Sequence, residues 1–363
     1  MISLDLVDIV LGSGARSVAI VGTAKNVGKT VTMNYLISAL TGCGITVGLV
    51  SSGRDGEVTD AFTGEPKPSI VPPEGAWIAT AEGVLPDSAG FLEIADVSER
   101  AGVLGRTVIG RMRESQPVEL VGPQSARELA RIVHRLHELG ARVVLVDGAL
   151  DRVAAASPSV TEAVILATGA AARHDLTSVA SSVASLVKLW SVEEPGDPEV
   201  LRLARRAIGE GRVAFLDREA VGVGEPRFRL RLTPFDTVLG REEEVLSQAG
   251  QAHYVVIPGA VSEKLLDEAV NRDLRKGFTV VAKDPTALFV KSYPACPVSV
   301  AYEMDLLAIT VNPVAVGGYS YEPGEMVRAV AREVRKIAGK RLPVFDVVSG
   351  EKDIGEVHEV AVG

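Results

Sequence analysis

Aromatic side chains are scarce in this sequence: Phe, Trp and Tyr together make up 4% of its 363 residues. A core with so few of them has to be assembled from Val, Leu, Ile and Ala, which suits a parallel sheet covered on both faces by helices. There are two cysteines, Cys43 and Cys296, too few and too far apart for a disulfide framework or a zinc cluster. No run of eighteen apolar residues occurs, which predicts no membrane-spanning helix. The first residues carry Asp5 and Asp8 without a basic start, so no signal peptide is expected and the cytoplasm is the natural setting. Excess positive charge is lacking too. A net charge of −9 argues against nucleic acid as the main partner.

The chain is rich in apolar residues, at 47%, with 23% charged and 36 glycines. That composition belongs to a well-filled globular protein with many tight turns. The most specific stretch is Gly22-Thr-Ala-Lys-Asn-Val-Gly-Lys-Thr30, after the apolar run Ser17-Val-Ala-Ile-Val21 and before a helix expected from Val31. Strand, glycine-bearing loop, Gly-Lys-Thr and helix together form the grammar of a phosphate-binding P-loop. Backbone N–H groups of Thr23, Ala24, Lys25, Asn26, Val27 and Gly28 would cradle phosphate oxygens, helped by the positive end of the helix dipole. Lys29 would reach the β- and γ-phosphates of ATP, and the Thr30 hydroxyl would ligate Mg2+. Gly22 stands one residue further from Gly28 than the standard spacing, whose first position is held by Thr23. Lys25, inside the loop, is a catalytic candidate for neutralising charge in the transition state, or a lysine in water.

A P-loop ATPase also needs an acidic residue at the end of a neighbouring strand. Val143-Val-Leu-Val-Asp147 supplies that pattern and makes Asp147 the second metal candidate, unless it merely caps the next turn. Asp151 and Arg152 are weaker candidates in the same segment. Ser51 to Glu57 forms a charged, glycine-bearing loop in which Asp55 would orient the attacking water or take part in metal binding, and Arg54 contact phosphate. A surface turn explains that loop equally well. Thr168-Gly169 ends a further strand that could face the same cleft. His134 and His137 lie three apart on an expected helix, but nothing joins them as metal ligands, and a solvated face explains them.

Alternating strands and helices predict βαβ units. The expected fold class is α/β, a mostly parallel doubly wound sheet of the P-loop NTPase type, with a second, smaller α/β or α+β region in the C-terminal half. Strands are read at 45–50, 118–121, 142–148, 163–169, 254–257, 278–282, 306–311 and 344–348. Further candidates lie at 186–190, 212–216 and 227–232. Helices are read at 4–11, from Val31 to about Leu40, from a Ser125/Glu128 capping box to Gly140, from Ser262 to about Arg275, and over 323–337. Four prolines between Glu65 and Glu74 predict a non-helical connection. These readings divide the chain into a nucleotide-binding domain at 1–174, a poorly defined connection at 175–250 and a C-terminal α/β region at 251–363.

The loop's Gly-Thr-x-x-x-x-Gly-Lys-Thr form resembles dethiobiotin synthetase and the cobyrinic acid amidases, and its Lys-Asn-x-Gly-Lys-Thr core the molybdopterin-guanine-dinucleotide adaptors. Several segments in order narrow this: the loop with Asn34-Tyr-Leu36, Ser52-Gly-Arg-Asp-Gly-Glu57, Ala79-Thr-Ala81, Val146-Asp-Gly-Ala-Leu-Asp-Arg152, Ala167-Thr-Gly-Ala170, Asp284-Pro-Thr286, Val311-Asn-Pro313 and Pro343-Val-Phe-Asp-Val347. Together they resemble the KamB-type subunit of lysine 5,6-aminomutase reactivase, over most of the chain. The resemblance implies an ATP-hydrolysing factor that exchanges damaged cobalamin in an adenosylcobalamin-dependent aminomutase, with a second reactivase subunit as partner. Residues 51–57 and 147–152 would be its moving parts. No cobalamin-ligand histidine motif is present. The alternatives are an ATP-dependent small-molecule ligase of the dethiobiotin synthetase type and a nucleotide-gated adaptor. Cys296, between Pro294 and Pro297, is an odd seat for an amidase nucleophile.

Overall fold

The computed structural model describes residues 4–53, 69–86, 90–123, 125–149, 153–173, 175–219, 227–271, 278–315 and 318–354. The chain opens with helix α1 (Leu6–Gly12), strand β1 (Ser17–Gly22), helix α2 (Lys29–Gly42) and strand β2 (Val47–Ser51). Every residue of β1 and β2 is buried, which is why both read as uninterrupted apolar runs. Three strands that the periodicity did not indicate follow: β3 (Trp77–Ala81), β4 (Leu92–Gly102) and β5 (Gly105–Met112). Helix α3 (Ala126–Glu138), β6 (Val143–Ala149), β7 (Ala163–Gly169) and α4 (Leu176–Trp190) come next.

The chain forms two compact units, residues Met1–Ala184 with Asp305–Gly363 and residues Ser185–Met304. In the second unit α5 (Pro198–Gly209) leads to β8 (Ala214–Glu219), β9 (Arg227–Leu232), α6 (Glu242–Ser247) and β10 (Tyr254–Ile257). Then come β11 (Val261–Ser262), α7 (Glu263–Asn271), β12 (Thr279–Ala282), β13 (Leu288–Phe289) and β14 (Val298–Val300). Its five-stranded sheet runs β14-β12-β10-β8-β9, with β10 parallel to β12 and β12 to β14, and with β8 antiparallel to both its neighbours. Val200, Leu203, Ala204, Leu216, Val256 and Val281 are buried in its own core.

The chain then returns to the first unit through β15 (Asp305–Asn312), α8 (Pro323–Ala338), β16 (Val344–Phe345) and β17 (Lys352–Asp353). The result is an α/β unit on a large mixed sheet, ordered β17-β16-β15-β7-β1-β6-β2-β3-β5-β4. From β16 through β3 each neighbouring pair is parallel; β17, β5 and β4 are added antiparallel. Val18, Ile20, Leu36, Leu49, Leu145, Ile165 and Ala308 fill a core that draws on both ends of the sequence.

Several expectations change. Residues 186–190 form the last turns of α4, not a strand. Val118–Val121 is not a strand of either sheet; Val118 makes an isolated antiparallel bridge to Ile70. Ser125 precedes α3 as expected, but its side chain makes no capping hydrogen bond. The domain division differs as well. Residues 185–304 form one unit spanning most of the supposed connection, and 305–354 belong with the amino-terminal sheet, because β15 pairs with β7 along its length.

Candidate functional site

β1 delivers the glycine-bearing loop to the carboxyl edge of the sheet, and α2 starts at Lys29 with Gly28 as its N-cap in the left-handed region, φ 93°. Asn26 also has positive φ, 59°. A loop that turns back on itself between a buried strand and a helix needs such conformations, and Gly and Asn adopt them at least cost. Thr23 continues the β1–β7 pairing, its N–H donating to the Ala167 carbonyl at 2.9 Å and its hydroxyl to Thr168 Oγ1 at 3.0 Å. Val27 is buried, Ala24 and Thr30 are half-buried, and the Lys25 side chain is exposed.

The displaced glycine has a steric explanation. A Cβ on Gly22 would lie 2.8 Å from both Cγ and Cδ of Lys29, so the lysine stem crosses directly over that residue. The stem carries the ammonium to 3.5 Å from Asp147 Oδ1, where each side chain is 13% exposed. Asp147 faces Ile20 of β1 on one side and Ser51 of β2 on the other, in register. The lysine and the aspartate picked from sequence are therefore brought together, one strand apart, at one sheet edge. Among the described residues no cluster of three His, Cys, Asp or Glu side chains could hold a metal.

No family model, characterised protein or solved structure matches this chain.

Asp55 and Arg54 of the second loop, and Asp151 and Arg152 after β6, lie outside the described residues. Of the second loop, Ser51 to Gly53 is described. Ser52 N–H donates to the Asp147 carbonyl at 2.8 Å, which ties the end of β2 to the metal candidate. Thr168 meets the glycine-bearing loop directly through Thr23. The helix histidines stay apart from the site: His134 faces Glu138 at 3.3 Å on the helix surface, and His137 Nδ1 lies 2.9 Å from the Ala141 carbonyl. Cys296 is buried, and burial pushes its thiol up to about 11, the opposite of an activated nucleophile.

Two contributors went unnoticed as site residues. Asn312, at the end of β15, sends Nδ2 to the Asn26 carbonyl at 3.4 Å, and a Cβ on Gly28 would lie 2.9 Å from Asn312 Cβ. The loop is thus wedged against a strand nearly three hundred residues away, and the Thr32–Thr310 hydroxyl pair, 2.9 Å and buried, pins α2 to that same strand. The one sequence signal was a strand ending in Asn-Pro. The other contributor is the segment 116–122, which crosses the ends of β3 and β2. Thr80 Oγ1 donates to the Glu119 carbonyl at 2.8 Å and accepts from Val121 N–H at 3.0 Å, while Gly122 N–H donates to the Gly53 carbonyl at 3.0 Å.

Proposed function

We propose that this chain binds ATP with Mg2+ at the β1–α2 loop and hydrolyses it. The observation that carries the reading is the Lys29–Asp147 pair, 3.5 Å apart at the carboxyl edge of a sheet whose central strands are parallel. Ligands of α/β proteins collect at that edge. On this reading the sheet is a doubly wound P-loop type and the protein works in the cytoplasm. The residues suit a magnesium triphosphate. Gly28 lets the backbone approach closely, Lys29 offers a compact positive charge, Thr30 opens the helix with a hydroxyl, and Asp147 supplies a carboxylate. Bound Mg2+ would neutralise phosphate charge. The chain's own part is to orient the phosphates through the loop N–H groups and to exchange the Lys29–Asp147 contact for contacts to phosphate and metal. Lys25, exposed on the loop, is the candidate to meet the developing charge.

The work done with ATP follows the family resemblance. We take the chain as a reactivation factor for an adenosylcobalamin-dependent aminomutase, acting with a second subunit. A γ-phosphate-sensitive segment would bias such a factor between two states. Ser51 to Gly53 supports that role, because its backbone is tied to Asp147 on one side and to Gly122 on the other. The test is ATP hydrolysis by the pure protein, alone, with candidate carboxylic acids, and with cobalamin-inactivated aminomutase plus fresh cofactor. Stimulated turnover with recovered mutase activity supports the reading. Phosphate release tied to a carboxylic acid sinks it. Lys29→Ala should lower turnover about 10²-fold or more; intact hydrolysis would remove Lys29 from the site.

A further inference from the structure

At one edge the large sheet ends in the hairpin of β4 and β5. Helix α3 reaches that hairpin through Arg135, whose Nε donates to Asp96 Oδ2 at 2.7 Å. Between them lies a cavity of about 220 Å³. Drug-sized sites occupy roughly 300–1,000 Å³, so this one suits a small metabolite. Its floor is made by Thr107 and Ile109 of β5 and Ile132 of α3, all three buried.

Two features set this cavity apart from a gap between surface elements. The first is Thr107, which is 8% exposed. Its N–H donates to Ser98 Oγ at 2.9 Å, but its hydroxyl has no hydrogen-bond partner among the described residues. A buried hydroxyl left open costs stability, and native proteins keep few of them. The second is a bulge in β4. Its register with β5 shifts between Val97 and Ala101, and the chain neighbours Ser98 and Glu99 both line the cavity. Regular alternation would send Glu99 to the opposite face, so the bulge re-aims it toward the cavity.

The charges around the cavity select its ligand. Arg135 is already occupied by Asp96 and by Glu138, whose Oε2 accepts from Nη1 at 2.9 Å. That leaves Arg131, Glu128 and Glu99. Glu128 and Arg131 stand three apart on α3, a spacing at which they could neutralise each other. Yet among the described residues none of the three makes an ion pair or a side-chain hydrogen bond. One guanidinium and two carboxylates over an apolar floor complement the opposite pattern: one carboxylate, two ammonium groups and an aliphatic chain. Phosphate would meet two like charges, and a plain diamine would leave Arg131 unanswered.

We propose that this cavity binds a small basic amino acid, a diamino carboxylate with an aliphatic chain. Arg131 takes the carboxylate, Glu99 and Glu128 take the ammonium groups, and the chain lies on Ile109 and Ile132. The Thr107 hydroxyl adds a hydrogen bond to the polar end. No residue of the glycine-bearing loop lines the cavity, so the proposal stands apart from the nucleotide reading.

Calorimetric or NMR titration of the full-length protein with L-ornithine tests this. Saturable binding is expected, weakened about tenfold or more by Arg131→Gln and by Glu128→Gln, since each removes a charge-assisted contact. L-norvaline lacks the side-chain ammonium and putrescine lacks the carboxylate, so each should bind about tenfold more weakly or worse. No saturable ornithine binding, or wild-type affinity in both variants, overturns the proposal, as does equal affinity for norvaline or putrescine. Thr107→Val gives a reading without ligand. It should melt no lower than the wild type, because the fold does not bond that hydroxyl, while ornithine binding weakens. A clear fall in Tm would show that the fold itself uses the hydroxyl, and would overturn the site.

Discussion

Lys29 and Asp147 are each other's counter-ion when no ligand intervenes, and at 13% exposure neither is fully screened by water. On the proposed reading, nucleotide would separate them and a metal would replace the lysine at the carboxylate. Asp147→Asn should therefore leave binding of Mg-free ATP unchanged or tighter, because Lys29 is released, while abolishing the gain on adding Mg2+. Titration of a fluorescent ATP analogue in EDTA and in Mg2+ checks both arms. Cys296 gives a second prediction at this scale. Its folded pKa of about 11 lies above the ordinary thiol value, so the folded state holds a proton that the unfolded chain gives up between pH 9 and 11. The resulting stability is full below pH 9 and falls as pH rises to 11. Cys296→Ala should flatten that alkaline decline in a urea-melt series, and exposed Cys43 alone should react with a thiol reagent at pH 8. The approach of Lys29 to Asp147 at one sheet edge was legible in the sequence because local order alone places both: strand, loop, helix, and an acid ending an apolar run. Asn312 was not, since its contact with Asn26 is set only when β15 docks beside β7.

Elements were legible where burial is two-sided. β1, β2, β6 and β7 lie inside a parallel sheet and appear as plain apolar runs. β4 and β5 form the antiparallel edge, where exposed Glu93, Glu99, Arg106 and Arg111 break up the apolar pattern and register shifts disturb its alternation. The run Leu186–Trp190 was read as a strand because five residues are too few to tell a period of two from one of 3.6. Its place within the fifteen-residue α4 settles the matter. The crossing segment 116–122, read as a strand at 118–121, is held by hydrogen bonds to Thr80 and Gly53 and by a bridge from Val118 to Ile70, and not by a full strand ladder. Its weak point is Gly122. Any side chain there meets the Ser51 carbonyl, so Gly122→Ala must push the segment off β2. The expected loss is about 1–3 kcal/mol, read as a lowered urea midpoint, together with weakened Mg2+ dependence of ATP binding, since Ser52 and Asp147 are bonded in that same place.

At the scale of the molecule, the sheet that carries the glycine-bearing loop is made from both ends of the chain. β15 pairs with β7 over seven residue pairs and supplies Asn312 to the loop, while Thr310 holds α2. A cut at residue 174, the boundary suggested by sequence, strips β7 of one neighbour and leaves the buried Thr32 hydroxyl without its partner. The fragment 1–174 should therefore fail to give a cooperative melt or bind Mg·ATP. Residues 1–184 joined by a short glycine-serine linker to 305–363 should do both, since every strand of the large sheet is then present. Residues 185–304, with their own five-stranded sheet and buried core, should fold alone and bind no nucleotide. Circular dichroism melts and nucleotide titrations of the three fragments decide this. Nucleotide binding by 1–174 would mean that the loop holds its shape without β15, and would remove Asn312 from the site.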